Sequence, residues 1–225
     1  MSGTTPDRDD WMEREYHPFR ERVRRDLFLS IAVFCYQNRP LDGCYMEFGC
    51  HGARTMRHAF DAFHALFDWR YVAFDSFAGL PEIPEIDRRP IWQPGALHTS
   101  EEEFIRRVVE HGMPRERLLT VKGFYDRSLT PELKARLLPA RAAVVYVDCD
   151  LYSSTVPVLE FVRDFLQPGT VLVFDDWFCF HGDPDRGERR AFRELCERHP
   201  GLRFQDFVQT HEAKAFIFLG EEDET

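Results

Sequence analysis

Nowhere among the 225 residues is there a Cys-x-x-Cys pair, a stripe of Lys and Arg, or an apolar run of about 20 residues, and each gap closes off a class of protein. Six cysteines (Cys35, Cys44, Cys50, Cys149, Cys179 and Cys196) stand singly, offering neither a zinc knuckle nor a disulfide framework. They read as free, mostly buried thiols. Lys and Arg number 29 against 39 Asp and Glu, a formal net charge of −10, with no basic cluster carrying interleaved aromatics. Such a surface repels a nucleic-acid backbone. The opening "MSGTTPDRDDWMERE" is polar and acidic, without the charged-then-apolar pattern of a leader, and no segment is apolar enough to span a bilayer. The expectation is a cytoplasmic protein that binds neither nucleic acid nor membrane. No internal repeat is visible either.

What is present has the rhythm of an α/β fold, and the length suits one large domain over 1–225. Apolar positions at helical spacing (Phe19, Val23, Leu27, Ile31, Phe34) predict one or two N-terminal helices within residues 1–42. Their apolar face leaves a homodimer as one expectation. A catalytic α/β core over 43–220 follows, with strands at 43–48, 71–75, 118–121, 143–147 and 170–174 and helical segments between most of them. After the first strand, Met56, Phe60, Phe63 and Phe67 share one helical face. Unalternated apolar strands separated by helices imply a mostly parallel sheet covered on both faces. Two last strands, at 203–208 and 213–219, are joined by only "QTHE", too short for a crossover, so the terminal strand must run antiparallel. The result is a seven-stranded, mostly parallel sheet with an antiparallel terminal strand. The tail "EEDET" reads as an irregular acidic end. A loop over 78–100, carrying Pro81, Pro84, Pro90 and Pro94, is too rich in proline for a helix or central strand and is predicted to be a lid. A second loop covers 180–188.

Ligands of such sheets bind beyond the carboxyl ends of the strands. The first strand ends in "EFGCHGART", where Gly49 and Gly52 allow close backbone approach and Glu47 favours a cationic or hydroxylated ligand. The middle glycine of a pyrophosphate-binding turn is missing, which counts against a nicotinamide dehydrogenase. The second strand ends at Asp75, placed to accept hydrogen bonds from a ribose diol. Asp148 and Asp150 end the fourth strand, and Asp175 and Asp176 the fifth. Carboxylates crowded at one mouth are costly unless protons or a hard cation, magnesium above all, neutralise them. The alternative is that they cap the following helix and turn, Asp150 foremost, which therefore ranks last of the four as a metal ligand.

Together, "YMEFGCHGART", "FDSFAGLPE", "VKGFYDRSL", "VDCDLYSST", "VFDDWF" and "GERRAF" make residues 43–195 resemble the macrocin O-methyltransferase (TylF/MycF) family. The resemblance implies a Rossmann-like class I methyltransferase that uses S-adenosylmethionine and Mg2+ on hydroxyls of sugars or glycosylated natural products. It implies that Glu47, Gly49 and Gly52 line the methionine end of the cofactor and that Asp75 and Ser76 hold the ribose. Phe77, Phe124 and Asp126 would flank the adenine, with Asp148 beside the cofactor. Asp148, Asp175 and Asp176 would be the metal ligands. Asp148, Asp176 or His181, the first titratable group after the fifth strand, would serve catalysis and take the acceptor's proton. Trp92, Gln93, His98 and Trp177 are placed to face the small-molecule acceptor. The alternatives are a haloacid-dehalogenase-like phosphotransferase, disfavoured because "DCDLYSS" sits on the fourth strand rather than the first, and a non-catalytic cofactor-binding partner protein.

Overall fold

A computed structural model describes residues 7–222. Seven strands form one sheet in the order β3-β2-β1-β4-β5-β7-β6. They are β1 (Cys44–Phe48), β2 (Arg70–Asp75), β3 (Leu118–Lys122), β4 (Ala142–Val147), β5 (Val171–Phe174), β6 (Leu202–Gln209) and β7 (Lys214–Glu221). The first five pair in parallel. β7 runs antiparallel to both neighbours, β5 and β6, as the short connection requires. Of the acidic tail, Glu221 closes β7, and residues 223–225 lie outside the described residues.

The unalternated strands have the predicted consequence. Tyr45, Tyr71, Ala73, Val144, Tyr146, Val171 and Val173 contribute to one core, while Met46, Phe48, Val72, Phe74, Val145, Val147, Leu172 and Phe174 contribute to the other. Side chains of period two thus meet apolar partners on both faces. The first core is covered by α1 (His17–Gln37) and α2 (Arg54–Phe63). Phe28 of α1 stacks on Tyr146 at 5.4 Å between ring centroids. α2 buries Met56, Ala59, Phe60 and Phe63 at helical spacing, and Phe67, beyond its end, stacks on Trp69. α3 (Glu101–Glu110) follows the proline-rich loop, its N-cap Ser100 accepting from Glu103 N–H at 3.2 Å. The second core is covered by α4 (Pro131–Leu137), α5 (Tyr152–Val162) and α6 (Gly187–Arg198).

Chain order reverses at β1, whose neighbours are β2 on one side and β4 on the other. The connections leaving the carboxyl ends of β1 and β4 therefore run to opposite sides of this switch point, and a cleft opens there. No helix among the described residues is long and apolar enough to cross a membrane.

Candidate active site

The cleft measures about 1100 Å³. That is room for two small molecules side by side, since a single ligand pocket is typically ~300–1000 Å³. Its floor is the turn after β1. Gly49 has φ 89°, and a Cβ there would run into the Asp148 carbonyl, so only glycine lets the β1 and β4 ends lie this close. His51 (φ 29°) and Ala53 (φ 63°) are also left-handed, and the N-terminus of α2 behind them has no side-chain cap. Its unsatisfied N–H groups are donors to a ligand. Asp75 staples this turn to the end of β2. Its Oδ2 accepts from the N–H groups of Cys50 (2.7 Å) and His51 (3.2 Å), and its Oδ1 from that of Phe77 (2.7 Å). Gly49, Gly52, Asp75, Ser76, Phe124, Asp126 and Asp148 all line the cleft.

Glu47 and Phe77 do not line it. Phe77 is buried against Phe104, and Glu47 is fully enclosed within β1, where its Oε2 accepts from the Tyr45 hydroxyl. The other oxygen, Oε1, has no hydrogen-bond partner. Burial pushes the Glu47 carboxyl up to about 8; Tyr45 and Arg24 oppose that rise, and Asp175 and Asp75 add to it.

The acidic cluster forms, with one change of membership. Carboxylate oxygens of Asp148, Asp150 and Asp176 lie within 4.8 Å of one another. Asp175, which the sequence placed among the metal ligands, is instead engaged by Arg24, whose Nη2 lies 3.2 Å from its Oδ2, and by the Tyr146 hydroxyl. Asp175 and Asp176 both line the cleft, and the Arg24 and Tyr146 contacts are what set Asp175 apart from the group. Asp150, ranked last from sequence, joins because its backbone is left-handed (φ 57°) rather than beginning a helix. Burial first, then the neighbouring carboxylates, raises the carboxyls of Asp148 and Asp150 well above the usual range. The same causes bring Asp176 to about 6 against the hydrogen bond it accepts from Cys179 Sγ at 3.0 Å. Buried Asp176 Oδ2 has no partner. Three hard oxygen donors with excess negative charge and an orphaned lone pair suit a divalent cation such as Mg2+.

The cap of α5 comes from elsewhere than expected. Asp87, fully buried in the proline-rich loop, accepts from the N–H groups of Tyr152 (2.7 Å) and Ser153 (3.0 Å). An acid some sixty residues upstream thus does what Asp150 had been expected to do, which frees Asp150 for the cleft. The same loop is fastened by Trp92, which packs edge-on to Phe180 at 5.0 Å and beside Leu151. Arg186 Nη2 donates to the Ile86 carbonyl at 2.9 Å. Trp92 therefore belongs to a small core rather than to the acceptor's surroundings, and Trp177 lies in the second core against Phe192 and Phe216. Gln93, His98 and His181 are exposed and do not line the cleft. Phe180 and His181 both take left-handed φ, which tucks Phe180 under Trp92 and leaves His181 outside. From the loop, the cleft wall is built instead by Leu80, Pro81, Pro94, Gly95 and Leu97.

Arg24 and Asp87 were missed from sequence. Arg24 had a visible signal, a charge on the helical face shared by Leu27, Phe28 and Ile31. Asp87 had none, since its partners are backbone groups distant in the chain.

The model of a family described as macrocin-O-methyltransferase (TylF) matches residues 30–196. Among solved structures, the O-methyltransferase NovP is 20% identical with a TM-score of 0.68, the match covering 89% of this chain and 80% of that one. The calicheamicin methyltransferase CalS11 is 24% identical with a TM-score of 0.67, covering 97% and 88%. An O-methyltransferase from Bacillus cereus, solved in complex with SAH, is 15% identical with a TM-score of 0.54, covering 89% and 80%. No curated protein matches the chain.

Proposed function

The chain belongs to the macrocin O-methyltransferase family and is an S-adenosylmethionine-dependent O-methyltransferase, and on that premise we propose that it methylates a sugar hydroxyl of a natural product with Mg2+ at Asp148, Asp150 and Asp176. The observation that carries the reading is that the glycine turn with Asp75 and the three-carboxylate group share one cleft large enough for two ligands. The family's description names macrocin, and CalS11 is described as a TDP-rhamnose 3'-O-methyltransferase; both favour a sugar acceptor.

When bound, the methyl donor supplies an electrophilic carbon and the cation a Lewis acid that makes a hydroxyl more acidic. The chain's own residues have separate duties. Gly49 and Gly52 let the main chain approach the methionine end, where the free N–H groups of α2 meet its carboxylate. Asp75, held rigid by three backbone donors, presents its remaining acceptor capacity to the ribose with Ser76 beside it. Phe124 and Asp126, which line the cleft, would flank the adenine. Enclosed Glu47, with one oxygen unpartnered, stands beneath the turn that would receive the donor's methionine end. Methyl transfer is an in-line displacement, so rate follows from how rigidly the two ligands are aligned. Asp148 and Asp150 fix the acceptor side. Asp176, whose Oδ2 has no partner within the protein, stands where it can take the hydroxyl proton.

The test is methyl transfer to TDP-rhamnose and to rhamnosylated aglycones, followed by mass spectrometry, in Mg2+ and in chelator. A methylated sugar formed only with Mg2+, and lost in Asp176→Asn while S-adenosylhomocysteine still binds, is expected. Full turnover in chelator overturns the metal assignment, and transfer to phenols but to no sugar overturns the acceptor class.

A further inference from the structure

The three carboxylates stand on two separate turns, Asp148 and Asp150 after β4 and Asp176 after β5. What holds those turns in register is a fourth acid outside the cleft. Glu188, in the first turn of α6, is fully buried and does not line the cleft. Its Oε1 accepts from Cys149 N–H at 3.2 Å, and its Oε2 accepts from Asp176 N–H at 3.0 Å. Cys149 lies between the two carboxylate-group residues of the first turn, and Asp176 is the carboxylate-group residue of the second. One side chain therefore spans the gap between the strand ends.

Helix α6 can deliver that side chain only because it starts tightly against the 180–182 turn. Gly187 has φ 57°, and a Cβ there would lie 2.8 Å from the Phe180 ring. A carboxylate placed among other carboxylates is electrostatically unfavourable, so its presence needs a reason. Two backbone N–H groups need two acceptor oxygens in one planar group. A carboxylate has them; an amide has one, with an NH2 in place of the other.

We infer that Glu188 is a positioning residue of this enzyme, bridging the β4 and β5 turns so that Asp148, Asp150 and Asp176 face one another at cation-binding distance. The inference rests on the metal assignment proposed above. Groups behind the immediate ligands of a metal set its affinity by about 10- to 100-fold.

Glu188→Gln has nearly the same shape and still fills the space under α6, but it turns an NH2 toward one of the two N–H donors. The experiment is calorimetric titration of Mn2+, and separately of S-adenosylhomocysteine in chelator, into the parent and into Glu188→Gln, with a thermal melt of each. About a 10-fold or greater weakening of Mn2+ is expected, with S-adenosylhomocysteine affinity unchanged within about 2-fold. Glu188→Asp, too short to reach both turns, should weaken Mn2+ as well. Equal Mn2+ affinity in parent and Glu188→Gln overturns the inference, as does a parallel loss of both ligands, which would make Glu188 a fold residue only. If the parent itself binds no Mn2+, the metal assignment falls and this inference with it; if the parent binds and the variant matches it, only this inference falls.

Discussion

Arg24→Met should destabilise the protein sharply, and Asp175→Asn should then restore much of the loss. Arg24 is 7% exposed and Asp175 8%, so the pair is out of water, and the Arg24 to Asp175 contact is 3.2 Å. Burial works against the guanidinium charge, but Asp175, Tyr146 and Asp148 more than offset it, and its pKa ends above the ordinary value. Removing only the cation leaves Asp175 with the Tyr146 hydroxyl and no counter-charge. Breaking a buried pair from one side costs about 3–5 kcal/mol. For a chain of this length, each kcal/mol moves the midpoint by about 2–4 °C, so a fall of roughly 6–20 °C is expected. Asp175→Asn in the Arg24→Met background removes the stranded charge while keeping the Tyr146 contact. At least half the loss should return, giving a coupling energy above about 1.5 kcal/mol in a double-mutant cycle. Urea unfolding in chelator, without either ligand, is the measurement. A loss below about 1 kcal/mol for Arg24→Met, or no recovery in the double variant, would refute a buried pair fixing α1 to the end of β5.

The Glu47 carboxyl gives a pH signature. An ordinary glutamate releases its proton near 4.5 and this one near 8, so between those values the folded state holds a proton that the unfolded chain has shed. Its contribution is greatest below 4.5 and declines as pH rises toward 8. The melting temperature of Glu47→Gln, taken relative to the parent without ligands, should therefore climb from about pH 5 to about pH 8; a constant difference contradicts the assignment. Gly49→Ala should abolish S-adenosylhomocysteine binding, because its Cβ would displace the Asp148 carbonyl and the turn with it; calorimetry of a folded variant with parental affinity would disprove this. Asp87→Ala should cost about 0.5–2 kcal/mol and speed hydrogen exchange across both the 78–100 loop and the first turn of α5. Unchanged exchange in α5 would show that its N-terminus does not depend on the loop.

The mostly parallel sheet and its antiparallel end were legible in the sequence because both follow from local pattern. Apolar runs without alternation demand a sheet buried on both faces, and a connection as short as 209–212 leaves a single direction for β7. The glycine turn and the acids at strand ends were legible for the same reason, since a strand's terminus fixes where its last side chain stands. Which member of an adjacent pair joins the carboxylate group was not. Asp175 and Asp176 both reach the cleft, and what separates them is the pairing of Asp175 with Arg24, which lies 151 residues earlier. Asp150 was misjudged through a sound general rule, that an acid before a helix caps it, because the cap had already been supplied by Asp87. Trp92 and His181 were assigned to the cleft by proximity in sequence, whereas two successive left-handed residues at 180 and 181 redirect that chain segment.

The anchoring of the proline-rich loop by Asp87 has a bearing on how relatives could be recombined. A chimera that exchanges the whole of 78–100 removes the acid that closes α5 and the Trp92 contact with Phe180, and so transfers a stability defect along with any new acceptor preference. The stretch around Pro94, Gly95 and Leu97 is different. It lines the cleft and is tied back to Leu80 through main-chain bonds, Gly95 N–H to Leu80 O at 2.9 Å and Leu80 N–H to Ala96 O at 2.8 Å, with Gly95 itself held at a left-handed φ of 77° that requires glycine. With Gly95 kept, the side chains at 94 and 97 can be traded without touching those main-chain bonds. The loop thus divides into a fixed half and an interchangeable half, and libraries aimed at new acceptors belong in the second.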